Sequence, residues 1–130
     1  ICSGLVGSEM CIRDSTKAYK GIAVSSGNSF VHETESQVIL NGSYNINFTM
    51  DLVLKDTGLF DELAKKLNAP LEISPKIVEI FKDGQKKYGS RAWSSMIVKR
   101  MEDLNKIDFR AEGFPEELTD NEPEEKGYEI

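Results

Sequence analysis

The stretch from Phe48 to Leu67, FTMDLVLKDTGLFDELAKKL, constrains the chain most. Leu52, Leu59, Leu63 and Leu67 recur four or seven residues apart, and Phe48, Phe60 and Ala64 widen the stripe. Side chains at that spacing share one side of a 3.6-residue helix, so the stretch predicts one amphipathic helix with this stripe in the core. Asp51, Lys55, Gly58 and Glu62 fall on the opposite flank. An acid one turn before a base favours a helix by about 0.3 kcal/mol, so Asp51 and Lys55 are expected to pair. Gly58 costs about 1 kcal/mol against alanine in a helix interior. It marks either a close approach to the backbone or a weak point.

The neighbouring segments read helical too. Ser26 to Leu40 opens on Ser26 or Asn28, either of which can cap a helix with its side-chain oxygen. Glu33 and Glu35 near its start suit the helix dipole. Asn41 to Asn47 carries the Asn-Gly turn signal and reads as a loop. Pro70 forces Ala69 out of the helical region and ends the central helix. Ser74 then caps a new helix with Pro75 at its first position. Ile77, Val78, Ile80, Phe81 and Tyr88 form its apolar stripe, Gly84 interrupts it, and Gly89 is expected to close it as a left-handed cap. A last helix begins at Ser90, with Trp93, Met96, Ile97, Met101 and Leu104 as its core stripe. Lys99 and Arg100 beside Glu102 and Asp103 read as its solvated face. The sum is an all-α unit of three or four amphipathic helices joined by short loops.

The ends differ from this body. Residues 1–15, ICSGLVGSEMCIRDS, show no helical period and no signal-peptide pattern. They resemble translated sequencing-adapter sequence that recurs at the ends of environmental assemblies. The folded chain is therefore expected to start near Thr16, the alternative being a genuine N-terminal segment. Cys2 and Cys11 both lie there, where a disulfide would staple nothing, so a reducing, cytoplasmic setting is expected. From Phe109 to Ile130 there are eight acidic and two basic residues, the whole of the net charge of −6. That segment reads as an acidic tail which Phe109, Phe114 and Tyr128 could anchor.

The same composition excludes several functions. There is no basic footprint for nucleic acid and no apolar run long enough to span a membrane. His32 is the single histidine, so a two-histidine zinc face cannot be built. It reads as a surface or packing residue. No G-x-S-x-G elbow supports a serine nucleophile. No G-x-G-x-x-G phosphate loop is present.

The order of these weak motifs carries a resemblance. F-x-x-x-L-x-x-K-D-x-x-L followed by a second amphipathic run and A-P-L resembles the C-terminal domain of the β-hydroxyacid dehydrogenases. That family includes 3-hydroxyisobutyrate dehydrogenase and 2-hydroxy-3-oxopropionate reductase. The matching residues are Phe48, Leu52, Lys55, Asp56, Leu59, Pro70 and Leu71, and Ser26-Gly27-Asn28-Ser29 resembles the family's small turn before the next helix. The resemblance runs from about Ile22 to Leu104. Family members often carry an Asp two residues before the serine that Ser94 matches; here that position is Ala92.

The resemblance implies a helical domain of the 6-phosphogluconate dehydrogenase-like type. It implies NAD or NADP held by a Rossmann domain that would precede this chain, a small hydroxy acid as substrate, and a homo-oligomer paired through helices. The family's catalytic lysine would also lie upstream, because Lys17 and Lys20 are too close to Ser26 to match it. The catalytic residues are thus expected outside this chain. Lys55 is implied to contact the cofactor, as a cation on the flank of a rigid helix can; the alternative is a lysine that only pairs with Asp51. Asp56 is implied to support it, and Ser26, Gly27 and Ser29 are candidates for the cleft wall. The rival function is a non-catalytic helical interaction domain.

Overall fold

A computed structural model describes residues 15–118 and 127. The Cys2 and Cys11 positions, all of the first fifteen residues but Ser15, and residues 119–126 and 128–130 of the acidic tail lie outside the described residues. Helical residues 15–23 form α1. They are followed by α2 (Phe30–Asn41), α3 (Met50–Lys66), α4 (Ser74–Tyr88), a 3-10 turn (Ser94–Val98) and α5 (Lys99–Asn105). Among the described residues there is no strand, and an antiparallel bridge joins Thr49 to Trp93. The fold is all-α.

Local chemistry sets the boundaries. The cap of α2 is Ser29, not Ser26 or Asn28: its backbone is extended and its Oγ accepts from the His32 N–H at 3.0 Å. Asn28 reaches forward instead, donating to Glu33 Oε1 at 2.8 Å. The helix closes at Gly42, whose φ of 92° lies in the left-handed region, with its N–H shared between Val38 and Ile39 carbonyls. At α4 the cap position is Ile73; Ser74 is already helical, and its hydroxyl donates to Asp61 Oδ1 at 2.6 Å, tying α4 back to α3. Gly84 does not interrupt this helix. Gly89 follows it with φ 100° and ψ 154°, a positive φ but not the left-handed helical cap.

The last helix does not begin at Ser90. The amino end of α3 needs partners for its first N–H groups, and it takes them from this segment. Met50 N donates to Ala92 O at 2.9 Å and Asp51 N to Ser90 O at 3.1 Å, while Ser94 N returns a bond to Phe48 O at 2.8 Å. Residues 90–93 are held open by that exchange, and helical structure resumes only at Ser94.

The core gathers where α2, α3 and α4 meet the 3-10 turn. Met50 and Val38 are fully buried, and Ala64 nearly so. On α3 Met50 and Ala64 are buried, and residues 51–54, Thr57, Gly58 and Asp61 are half-buried. The predicted stripe is split: Ala64 is buried and Leu52 half-buried, whereas Leu59, Leu63 and Leu67 are 60, 53 and 68% exposed, and Phe60 is 54% exposed. The part of the stripe from Leu59 to Leu67 outside Ala64 is therefore an uncovered apolar face. Met101 and Leu104 of the last predicted stripe are exposed as well.

Polar contacts join α4 to α5. Tyr88 Oη donates to Asp103 Oδ2 at 2.6 Å, and Arg100 Nε donates to Asp83 Oδ2 at 2.6 Å. Burial, then the bond to Asp103, pushes the Tyr88 phenol up to about 12.

Candidate functional site

The fastened start of α3 gives its exposed flank a fixed direction. Asp51 does not pair with Lys55. Its carboxylate accepts from the Thr49 hydroxyl, from Leu52 N at 3.0 Å and from Arg91 Nη1 at 3.2 Å. The Thr49 bond, more than the Arg91 guanidinium, holds that carboxyl below the usual range. One turn on, Lys55 is 61% exposed, and its ion-pair partner is the adjacent Asp56 at 3.3 Å. Asp56 is itself exposed, so this pair leaves the ammonium able to donate elsewhere. The site candidate is thus a cation carried by a helix whose amino end is pinned by backbone bonds to residues 90–94.

The Ser26–Ser29 turn sits at the amino end of α2. Ser25 Oγ accepts from Gly27 N at 3.1 Å and donates to Ile22 O at 2.9 Å, which folds the turn back on α1. Ser29 is occupied as the α2 cap. The structure brings Lys55 and Asp56 together, and it places Ser26, Gly27 and Ser29 on a separate element. Among the described residues, no hydrogen bond or ion pair joins the turn to Lys55.

Two features escaped the sequence. The first is a cavity of about 540 Å³ between α1, α2 and residues 107–109, with Tyr19, Ile22, His32, Ile39 and Phe109 in its wall. His32 is a packing residue here. Tyr19 O can only accept, so His32 Nε2 donates to it at 2.9 Å, and Nδ1 accepts from the Ser36 hydroxyl at 3.2 Å. Its ring also stacks on Tyr19 at 4.9 Å.

The second is a buried charge cluster. Glu102, placed on the solvated face by its neighbours in sequence, is 1% exposed. It accepts from the Tyr44 hydroxyl, from Phe109 N at 2.9 Å and from Arg110 Nη1 at 2.8 Å. Arg110 Nη2 also donates to Tyr44 Oη at 2.8 Å. No sequence signal near Glu102 points to this, because its partners come from 58 positions upstream and from the segment after α5. Among the described residues no cluster of His, Cys, Asp and Glu could hold a metal ion. No helix among them is long and apolar enough to cross a membrane.

A family model described as the NAD-binding domain of NADP-dependent 3-hydroxyisobutyrate dehydrogenase matches residues 4–101. The chain belongs to that family, a class of NAD(P)-dependent hydroxyacid dehydrogenase domains. The match begins at residue 4, inside the first fifteen residues that the sequence pattern had set apart. Among particular proteins, the chain is similar to 2-(hydroxymethyl)glutarate dehydrogenase of Eubacterium barkeri, with 32% identity over 87 residues. That alignment covers 66% of this chain and only 29% of the relative's length. No solved structure matches the chain at a significant level.

Proposed function

We propose that this chain is the C-terminal helical domain of an NAD(P)-dependent β-hydroxyacid dehydrogenase, working in the cytoplasm. The observation that carries the reading is the family match over residues 4–101 together with Lys55 held on the open flank of α3. In such an enzyme the nicotinamide supplies or takes up the hydride exchanged with the hydroxyl-bearing carbon of a short hydroxy acid. Lys55 donates to oxygens of the bound cofactor, and Asp56 beside it orients the ammonium. The Ser26–Ser29 turn forms part of the cleft wall. The dinucleotide loop belongs to a Rossmann domain, and the proton-transferring lysine to a long helix, both ahead of the residues seen here. The relative's name specifies 2-(hydroxymethyl)glutarate, a hydroxy acid of the same chemical kind.

The uncovered leucine face of α3 supports a second role in the same protein. Leu59, Phe60, Leu63 and Leu67 are contiguous on the helix and exposed, and Ile73 at the start of α4 is 72% exposed. Apolar surface of this kind is covered in a working assembly, and we assign it to pairing between copies. Sedimentation is expected to show concentration-dependent association, weakened in a Leu63→Glu variant; a monomer at all concentrations would remove this role.

Lys55 decides the main reading. In the longer enzyme carrying this domain, Lys55→Ala is expected to weaken cofactor binding about ten- to a hundredfold, the loss of one charge-assisted hydrogen bond. If the lysine only pairs with Asp56, the change removes an exposed ion pair worth about 0 to 1 kcal/mol and leaves affinity intact. Asp51→Ala serves as the control. It frees Thr49 and Arg91 and lowers the thermal midpoint, with the cofactor dissociation constant unchanged. Equal, small effects from both variants would reduce Lys55 to a surface lysine.

A further inference from the structure

The end of α2 is an asparagine followed by a glycine, Asn41–Gly42. That pair has chemistry of its own. Glycine lacks a Cβ, so its nitrogen can approach the side-chain carbonyl carbon of the preceding residue without hindrance. In the folded protein three contacts keep the reacting atoms apart. Gly42 N–H is engaged by Val38 O and Ile39 O, both at 3.0 Å. Asn41 Nδ2 donates to Phe114 O at 3.0 Å. The Arg110 side chain lies across Gly42, so close that a Cβ built there would meet Nε at 2.6 Å.

Two of these contacts come from the segment after α5. That segment is docked on the end of α2 by Ala111 N on Leu40 O at 3.0 Å and by Ser43 Oγ on Glu116 O at 2.6 Å. The ion pair of Arg110 with buried Glu102 fixes its start.

We propose that Asn41–Gly42 is a deamidation site gated by the docking of residues 110–116. When the segment lifts, the last turn of α2 is free to fray, Gly42 N leaves the Val38 and Ile39 carbonyls, loses its proton to solvent and attacks Asn41 Cγ. The N–Cγ bond forms, the Cγ–Nδ2 bond breaks, and ammonia leaves with the proton. Water then opens the five-membered imide. Cleavage at Cγ gives aspartate; cleavage at the backbone carbonyl gives the β-linked isomer. No oxidant or reductant is needed.

The product does not dock as the asparagine does. A carboxylate has no hydrogen to donate to Phe114 O, and it places negative charge at the carboxyl end of α2, where the helix dipole is already negative. The β-linked isomer also lengthens the backbone and draws Gly42 away from both carbonyls. The reaction is thus a one-way release of the segment, and it stands independently of any dehydrogenase activity.

The test uses the full chain incubated at mildly alkaline pH, with conversion at Asn41 followed by peptide mapping. Conversion is expected to be slow in the folded chain and fast in urea. Arg110→Ala is expected to speed it about ten- to a hundredfold, the factor by which losing charge-assisted bonds raises the open population. Conversion at Asn28, far from the dock in sequence, is the internal reference and stays unchanged. Equal rates at Asn41 in folded and urea-unfolded chain, or no response to Arg110→Ala in a folded variant, would overturn the proposal. Should Arg110→Ala not fold, Asn41→Asp gives the second readout. Hydrogen exchange at the Ala111 amide is expected to rise at least about tenfold in it, and unchanged exchange would count equally against the gate.

Discussion

Glu102→Ala is expected to destabilise the fold by about 4 kcal/mol, the range for breaking a buried ion pair from one side. Three donors lose their acceptor at once: the Tyr44 hydroxyl, the Phe109 N–H and Arg110 Nη1. Arg110 is partly open to water and recovers some hydration, whereas Tyr44 is buried and does not. A domain of this size has about 5 to 15 kcal/mol in all, so the thermal midpoint should fall by more than about 10 °C. Glu102→Gln keeps one acceptor and the volume, and should fall by roughly half as much. The same cluster sets an alkaline limit. Burial first, and the bond to Glu102 second, push the Tyr44 phenol up to about 12 from its ordinary 10.0. A raised pKa in the folded state means stability that is whole below pH 10 and is lost as pH climbs through 12. Removing Glu102 removes one cause of the shift, so alkaline unfolding of the variant should start at lower pH. Urea titrations at neutral and alkaline pH check both arms. A change below about 1 kcal/mol would mean that the cluster is solvated and its bonds nearly neutral.

The pattern in the sequence carried the fold class and the breaks at Gly42 and Pro70, and it failed where contacts come from afar. Pro70 and Gly42 act within a few residues, so the end of α3 and the loop after α2 could be read directly. Ser29 was missed as a cap because three neighbouring residues could each serve; its extended backbone and its bond from the His32 N–H single it out. Lys55 was legible as an exposed cation, but its partner was not, since Arg91 arrives from a loop 40 residues on and takes Asp51. Glu102 shows the limit most clearly. Charge next to charge along a helix reads as solvated, and nothing local reveals that residues 109 and 110 fold back over it. The leucines of α3 show the converse. A hydrophobic period reports that a face is apolar, without telling whether this chain or another surface covers it.

Gly84→Leu is expected to cost about 3 kcal/mol, and Gly58→Leu, in the neighbouring helix, close to nothing. The sequence presents the two alike, as glycines interrupting amphipathic helices. Space distinguishes them. Gly58 has no atom within 4 Å of an added Cβ, so a side chain there points into solvent. At that position a better helix former gains about 0.5 to 1 kcal/mol, and Gly58→Ala should stabilise. At Gly84 the same Cβ would meet Ile97 Cδ1 at 2.7 Å and Met50 Sδ at 3.2 Å. Both neighbours end in flexible atoms, so alanine forces a small retreat that roughly cancels its helical gain. Leucine adds three more carbons against Met50, which is fully buried and has no room to leave. The displaced Met50 is also the residue whose N–H pins α3 to Ala92 O, so the strain should spread to the segment holding the Lys55 helix in place. Urea unfolding of the four variants gives the comparison. If Gly84→Leu proved no less stable than Gly58→Leu, the close approach of α4 to Met50 and the 3-10 turn would not be the packing that joins these helices.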